Sequence, residues 1–184
     1  MESIETMIAD VLKREGGYVN HPFDRGGPTK YGVTQRTLSR YIGRQASREE
    51  VKSLDVSVAK EIFLQNYYLK PSIHRLPPEI QPFIFDAAIN HGPRRAIKFV
   101  QSVCNQAAVS RVIKEDGAIG PNTLSAVKDT LNAMQGHFLE ALIEERRNFY
   151  HIIVAANPSQ KVFLKGWENR LAEFESKVRR LRNA

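Results

Sequence analysis

Apolar positions recur at helical spacing along most of the chain, and strand-like alternation is confined to one short stretch near the N-terminus. Ile4, Met7, Ile8, Val11 and Leu12 form the first stripe, and the next position on it is Glu15, a carboxylate where an apolar residue is due. Gly16-Gly17 ends that helix, because glycine readily adopts the left-handed conformation of a helix stop, so Glu15 falls in the last turn. The alternation around Tyr18-Val19-Asn20 and Lys30-Tyr31-Gly32-Val33 then predicts two short strands. Between them, Asp24 to Pro28 carries the aspartate, glycines and proline of a turn.

Everything after the hairpin reads as helix. Gln35 to Ile42 is a short helix with Thr34 as its N-cap, and Ser47-Arg48-Glu49-Glu50 is a capping box opening another. Ser57 to Leu69 follows, with Val58, Ile62, Phe63 and Leu64 on its buried face and Pro71 as its stop. Tyr67 and Tyr68 at its end suit core or rim packing better than sugar stacking. The stretch with Ile80, Phe83, Ile84, Ala87 and Ala88, opened by Pro77-Pro78, is the most continuously apolar and predicts the central helix. His91-Gly92-Pro93 stops it and starts the next, Ala96 to Ala107, whose apolar face includes Cys104.

A turn at Asp116-Gly117-Ala118-Ile119-Gly120-Pro121 leads into a helix from Asn122. A long helix is expected from about Ala133 to Ala156, with Phe138, Leu142, Ile143, Phe149 and Ile153 inward and Glu140, Glu144, Glu145, Arg146 and Arg147 on a mostly solvated face. Asn157-Pro158 breaks it, and the terminal helix carries the stripe Leu171, Phe174, Val178 and Leu181, with Trp167 as its core anchor or, alternatively, a glycan-stacking ring. The fold class expected is mainly α, a helical body with a small N-terminal β-hairpin lobe.

Composition narrows the class. The chain has 184 residues, 42% of them hydrophobic, enough for a real core. The single cysteine rules out an intramolecular disulfide. No stretch approaches the roughly 20 apolar residues of a bilayer span, and the N-terminus lacks the basic and apolar regions of a secretory signal, so the expected location is the cytoplasm of a host bacterium until release. A net charge of +7 favours polyanionic partners: nucleic acid, anionic lipid or the bacterial envelope. Lys177, Arg179, Arg180 and Arg182 crowd the C-terminal helix, which suits either a solvated helix end or an anchor to anionic envelope lipid or wall polymer.

The chemistry sits in the N-terminal stretch. Partial desolvation by the stripe and the negative end of the helix dipole both favour protonated Glu15, as a general acid requires. A hairpin that returns Asp24 and Thr29 toward that helix end assembles two acids and a hydroxyl, the set used in glycoside hydrolysis. Glu15 also suits a solvated partner for Arg14 or Arg25, and Asp24 a plain turn residue. On the central helix, Asp86 and Asn90 share a face at four-residue spacing, as substrate contacts or as internally satisfied polar groups.

Four ordered motifs resemble one family. Glu15-Gly16-Gly17-Tyr18 with Asp24-Arg25-Gly26-Gly27-Pro28-Thr29-Lys30-Tyr31-Gly32-Val33-Thr34, then Phe85-Asp86-Ala87-Ala88-Ile89-Asn90-His91-Gly92, then Asp116-Gly117-Ala118-Ile119-Gly120-Pro121-Asn122-Thr123-Leu124, then Asn157-Pro158 and Gly166-Trp167-Glu168-Asn169-Arg170, are similar to glycoside hydrolase family 108, the lysozyme-like N-acetylmuramidases of phage and bacteria. The resemblance implies a lysozyme-like α+β fold, with residues 1–92 as a catalytic part and 93–184 as a helical part with a peptidoglycan-binding motif, packed as one unit.

It further implies Glu15 as catalytic acid, with Asp24 and Thr29 as its catalytic partners; Tyr31, Asp86 and Asn90 are the candidate substrate contacts. The interval from Asp24 to Thr29 is one residue shorter than in that family, and Thr34 is a rival for the hydroxyl role. The expected activity is hydrolysis of the β-1,4 bond between N-acetylmuramic acid and N-acetylglucosamine in peptidoglycan, by a monomer without metal or cofactor and without nucleic-acid binding. Alternatives are a chitinase, a transglycosylase or a non-catalytic wall-binding module.

Overall fold

The computed structural model describes residues 3–15, 17–19, 27–134 and 136–182. It is mainly helical, with nine α-helices and one small hairpin among the described residues. The chain groups into two compact units, 1–74 and 75–184.

The first unit begins with α1, Ile4–Glu15, whose Met7, Ile8 and Val11 are buried as the stripe requires. The hairpin differs from its expected form. Its strands are β1, Thr29–Lys30, and β2, Val33–Thr34, paired antiparallel, with Tyr31 and Gly32 as the connecting turn. The stretch expected as one strand thus folds back on itself, and Val19 keeps a single bridge to Thr29.

Then come α2, Gln35–Ile42, stopped by Gly43 at φ 74, and α3, Arg48–Lys52, which closes the Ser47/Glu50 capping box. Next is α4, Val56–Phe63, capped by Asp55. The helix expected to run to Leu69 continues past Phe63 as a π-helix, Leu64–Leu69, which buries Tyr68. Val33, Leu38, Val51, Ala59, Ile62 and Phe63 make this unit's core.

The second unit is built on α5, Gln81–His91, in which Phe83 to Ala88 are all buried. A helix buried nearly all round has no polar face to give away, so Asp86 within it needs compensation. Around it follow α6, Pro93–Ala107; α7, Pro121–Met134; α8, Phe138–Ala156; and α9, Lys161–Arg182. α5 packs on α6, α6 on α7 and α8, and α8 on α9. The long helix starts at Phe138 rather than Ala133, because Gly136 at φ 87 separates it from α7. Cys104 is a buried free thiol on α6, and burial pushes its pKa up.

Between α6 and α7 the turn at Asp116 is organised by the buried Gln101. Its Nε2 donates to Asp116 Oδ1, the Ala118 carbonyl and Thr123 Oγ1 at 3.0, 3.0 and 3.1 Å, while its Oε1 accepts from the Gly117 amide at 2.8 Å. Gly117 has φ +75, and a Cβ there would lie 2.6 Å from the Arg94 carbonyl oxygen, so position 117 takes glycine alone. The stripe of α9 is docked, with Leu171, Phe174 and Val178 buried, and Phe174 meets Phe83 edge-on at 5.1 Å.

Candidate active site

α1 ends at Glu15, so this acid does sit in the last turn of its helix; its side chain lies outside the described residues. Four residues on, Val19 and Thr29 exchange both backbone hydrogen bonds, at 2.8 and 2.9 Å. This pair closes the loop that contains Asp24, which itself lies outside the described residues. The loop's exit is pinned further: the Gln35 amide donates to the Pro28 carbonyl at 2.9 Å, Lys30 Nζ to the Lys52 carbonyl at 2.9 Å, and Gln35 Nε2 to the Ala46 carbonyl at 2.6 Å. Backbone and long polar side chains therefore pin the described residues that follow the loop.

Thr29 is half-buried, and its hydroxyl donates to the Gly27 carbonyl at 3.3 Å. That leaves the oxygen's lone pairs free to accept. Thr34, the rival hydroxyl, is occupied as the N-cap of α2, accepting from the Thr37 amide at 3.1 Å.

Tyr31 has φ 53 and Gly32 φ 77, the two left-handed residues of a type I′ hairpin turn. Asn, Asp or Gly is favoured at the first of these positions, and a bulky side chain there is strained by roughly 1 kcal/mol. The Lys30 ammonium lies 5.1 Å from the Tyr31 ring centroid.

The acid on α5 has a different environment. Asp86 is 4% exposed. Arg146 Nη1 donates to its Oδ2 at 2.7 Å, and Arg170 approaches both oxygens, its Nε at 2.9 and 3.1 Å and its Nη2 2.7 Å from Oδ1. Burial alone pushes this carboxyl up, but Arg146 and Arg170 outweigh it and hold the pKa below the usual range. Arg146 Nε donates to His91 Nε2 at 3.1 Å, which requires a neutral imidazole; burial, then Arg146, lowers the His91 pKa to about 3. Asn90 returns its amide to the Asp86 carbonyl at 2.7 Å. Of the pair at four-residue spacing, Asp86 is thus buried and compensated internally, while Asn90 is exposed and turns only its amide Nδ2 back to the helix.

Arg146 was expected on a solvated face and is instead fully buried. The signal was available: 146 lies four residues from both Leu142 and Tyr150, on the core face of α8. Arg147 faces outward but is also engaged, with Glu144, with Glu168 at 3.0 Å and with Glu175 at 2.6 Å. Tyr150 stacks on Trp167 at 4.8 Å, and Phe163 stacks on Trp167 from α9 at 6.1 Å. So Trp167 and Arg170, from one sequence motif, both attach α9 to the rest of its unit.

Among the described residues no cluster of His, Cys, Asp and Glu is arranged to hold a metal ion, and no helix is long and apolar enough to cross a membrane.

A family model described as Glycosyl hydrolase 108 matches residues 8–92, which include Glu15, Asp24, Thr29, Tyr31, Asp86 and Asn90. A second, described as a Predicted Peptidoglycan domain, matches residues 95–172, which include Arg146, Trp167 and Arg170. Among solved structures the chain is similar to Brucella abortus SagA, at 32% identity over 95% of this chain and 92% of that one, with a TM-score of 0.80. No curated protein matches the chain.

Proposed function

This chain belongs to the glycosyl hydrolase 108 family, and from that premise we propose that it is an endolysin-type N-acetylmuramidase, cleaving the β-1,4 bond between N-acetylmuramic acid and N-acetylglucosamine. That it is a glycoside hydrolase with a peptidoglycan-binding part follows from the two matched segments. The bond, and a phage origin with release from the host cytoplasm to lyse the wall, are our reading.

The observation that carries it is local. Glu15 ends α1, and four residues later the Val19–Thr29 pair clamps the loop that bears Asp24. A carboxyl at a helix C-terminus is disfavoured as an anion, which suits an acid that must hold a proton near neutral pH. Glu15 protonates the departing glycosidic oxygen. Asp24 orients water or stabilises the positive charge developing on the sugar. The Thr29 hydroxyl, with its lone pairs available, accepts from that water or from a sugar hydroxyl. Tyr31, kept at a turn position that disfavours it, presents its ring to the substrate. Asp86 acts at a remove, holding α5, α8 and α9 together through Arg146 and Arg170, while the exposed Asn90 one turn on keeps its place as a substrate contact. The net charge of +7 suits a polyanionic wall.

Purified peptidoglycan digested with the protein should release fragments whose reducing ends are muramic acid by mass analysis. Glucosamine ends, anhydro ends or freed amino groups would each replace the proposed reaction with another.

A further inference from the structure

On α9, the residues Val162, Phe163, Gly166 and Asn169 fall on one flank at spacings of three and four, and all four are exposed. Val162 is 78% and Phe163 53% exposed, unlike the docked stripe of the same helix. Phe163 is not a loose surface ring: it stacks on Trp167, which stacks in turn on the fully buried Tyr150. Three rings in series run from the interior to the surface, and the outermost is held in place by the other two.

Gly166 sits beside this ring inside a helix, where glycine costs roughly 1 kcal/mol relative to alanine. No packing demands it, since a Cβ at 166 would meet nothing within 4 Å. A glycine kept at such a cost, on an exposed helix face next to a fixed ring, leaves a notch through which a ligand reaches the helix backbone. One turn on, Asn169 offers an amide with both donors and acceptors.

We propose that this flank is a glycan-strand docking site in the peptidoglycan-binding part, taking an N-acetylated hexosamine of the wall. The ring of Phe163 covers the apolar C–H face of the sugar, the notch at Gly166 admits its edge, and Asn169 pairs with the acetamido group or a hydroxyl. The occupant follows from three features together: the flank lies within the segment matching a Predicted Peptidoglycan domain, its chemistry is that of an N-acetyl sugar, and the chain's positive charge complements the carboxylates of the wall. The inference rests on the wall-hydrolase reading for its biological sense, but its test does not use hydrolysis.

Full-length protein carrying Glu15→Gln, which leaves the wall intact, is bound to purified sacculi in a pelleting assay. The same protein is titrated with soluble glycan strands freed of stem peptides. Trp167 is the chain's single tryptophan and lies directly behind Phe163, so its emission should shift as strands bind. Adding Phe163→Ser should weaken binding to both probes by roughly five- to tenfold. Adding Gly166→Ala should raise the melting temperature while weakening binding, an opposition that a merely structural residue would not produce.

Unchanged affinity in both variants, or Trp167 emission indifferent to strands, would overturn the proposal. So would loss of binding to anionic vesicles in Phe163→Ser with glycan binding intact, which would make the flank a lipid contact. If the wild type cleaves no wall yet these variants lose strand binding, the hydrolase reading fails and the docking site stands.

Discussion

Two acids in this chain, Glu15 and Asp86, sit on helices of comparable length, and they are placed by opposite means. Around Glu15 the chain is fixed by backbone: a helix end, one exchanged pair of hydrogen bonds at Val19 and Thr29, and strands of two residues each. Around Asp86 it is fixed by side chains: two guanidinium groups and, behind one of them, an imidazole, with Asp86 and Arg146 themselves out of water. The first arrangement leaves the Thr29 hydroxyl half-buried and able to accept, at a strand end where reacting molecules can be met. The second turns a buried carboxylate onto two guanidinium groups, so its charge works for the fold.

The sharpest way to break this comparison is to neutralise each acid's role in turn. Glu15→Gln should cut turnover on peptidoglycan by about 10²- to 10⁴-fold while leaving the thermal midpoint near that of the wild type, because the amide keeps the size and loses the proton. Calorimetry beside a wall-clearing assay checks both halves. Arg146→Ala should do the reverse, costing about 3–5 kcal/mol in urea unfolding, since it strips a buried carboxylate of one partner. Turnover per folded molecule should change little, and a large loss at matched folded fraction would move Asp86 into the reaction.

A pH titration sharpens the second region. His91 is held neutral in the folded protein, with a pKa of about 3, against an ordinary value of 6.5. The unfolded chain therefore binds the extra proton between those values, and stability should fall as pH drops from about 6.5 toward 3, with a slope of up to about 1.4 kcal/mol per pH unit. Asp86, also lowered, adds the same sign below its ordinary range. His91→Gln keeps an acceptor for Arg146 and removes the titration, so its stability curve should be flatter across that window. An equally steep curve would place the proton elsewhere.

The smallest effect belongs to the hairpin. Tyr31→Asn suits the left-handed turn position and should stabilise the first unit by roughly 0.5–1 kcal/mol, yet lower turnover several-fold if the ring meets the sugar. A gain in stability with full activity would make Tyr31 an ordinary turn residue.

Legibility in the sequence follows the same division. Features set by neighbouring residues were readable: the end of α1 at Glu15, the bounds of α2 from Thr34 to Gly43, and the capping box at Ser47. The hairpin register was missed because a tyrosine occupies a turn position that usually announces itself with Asn or Gly. The π-helix from Leu64 has the same apolar pattern as the α-helix it continues, so spacing alone does not separate them. Arg146 stands in a run of charged residues, although its partners, Asp86 and His91, lie 60 and 55 residues away. Long-range pairing of charges leaves no local trace except the helical face on which the arginine stands.

The solitary thiol on α6 offers a way to watch the two regions separately. Cys104 is buried in the second unit and its pKa is raised, so a thiol reagent reaches it only when that unit opens. Labelling kinetics at Cys104 then clock the opening of the helical unit in the intact chain, with no cysteine engineered into it. Arg146→Ala should accelerate that clock strongly and Tyr31→Asn should leave it running at the native rate.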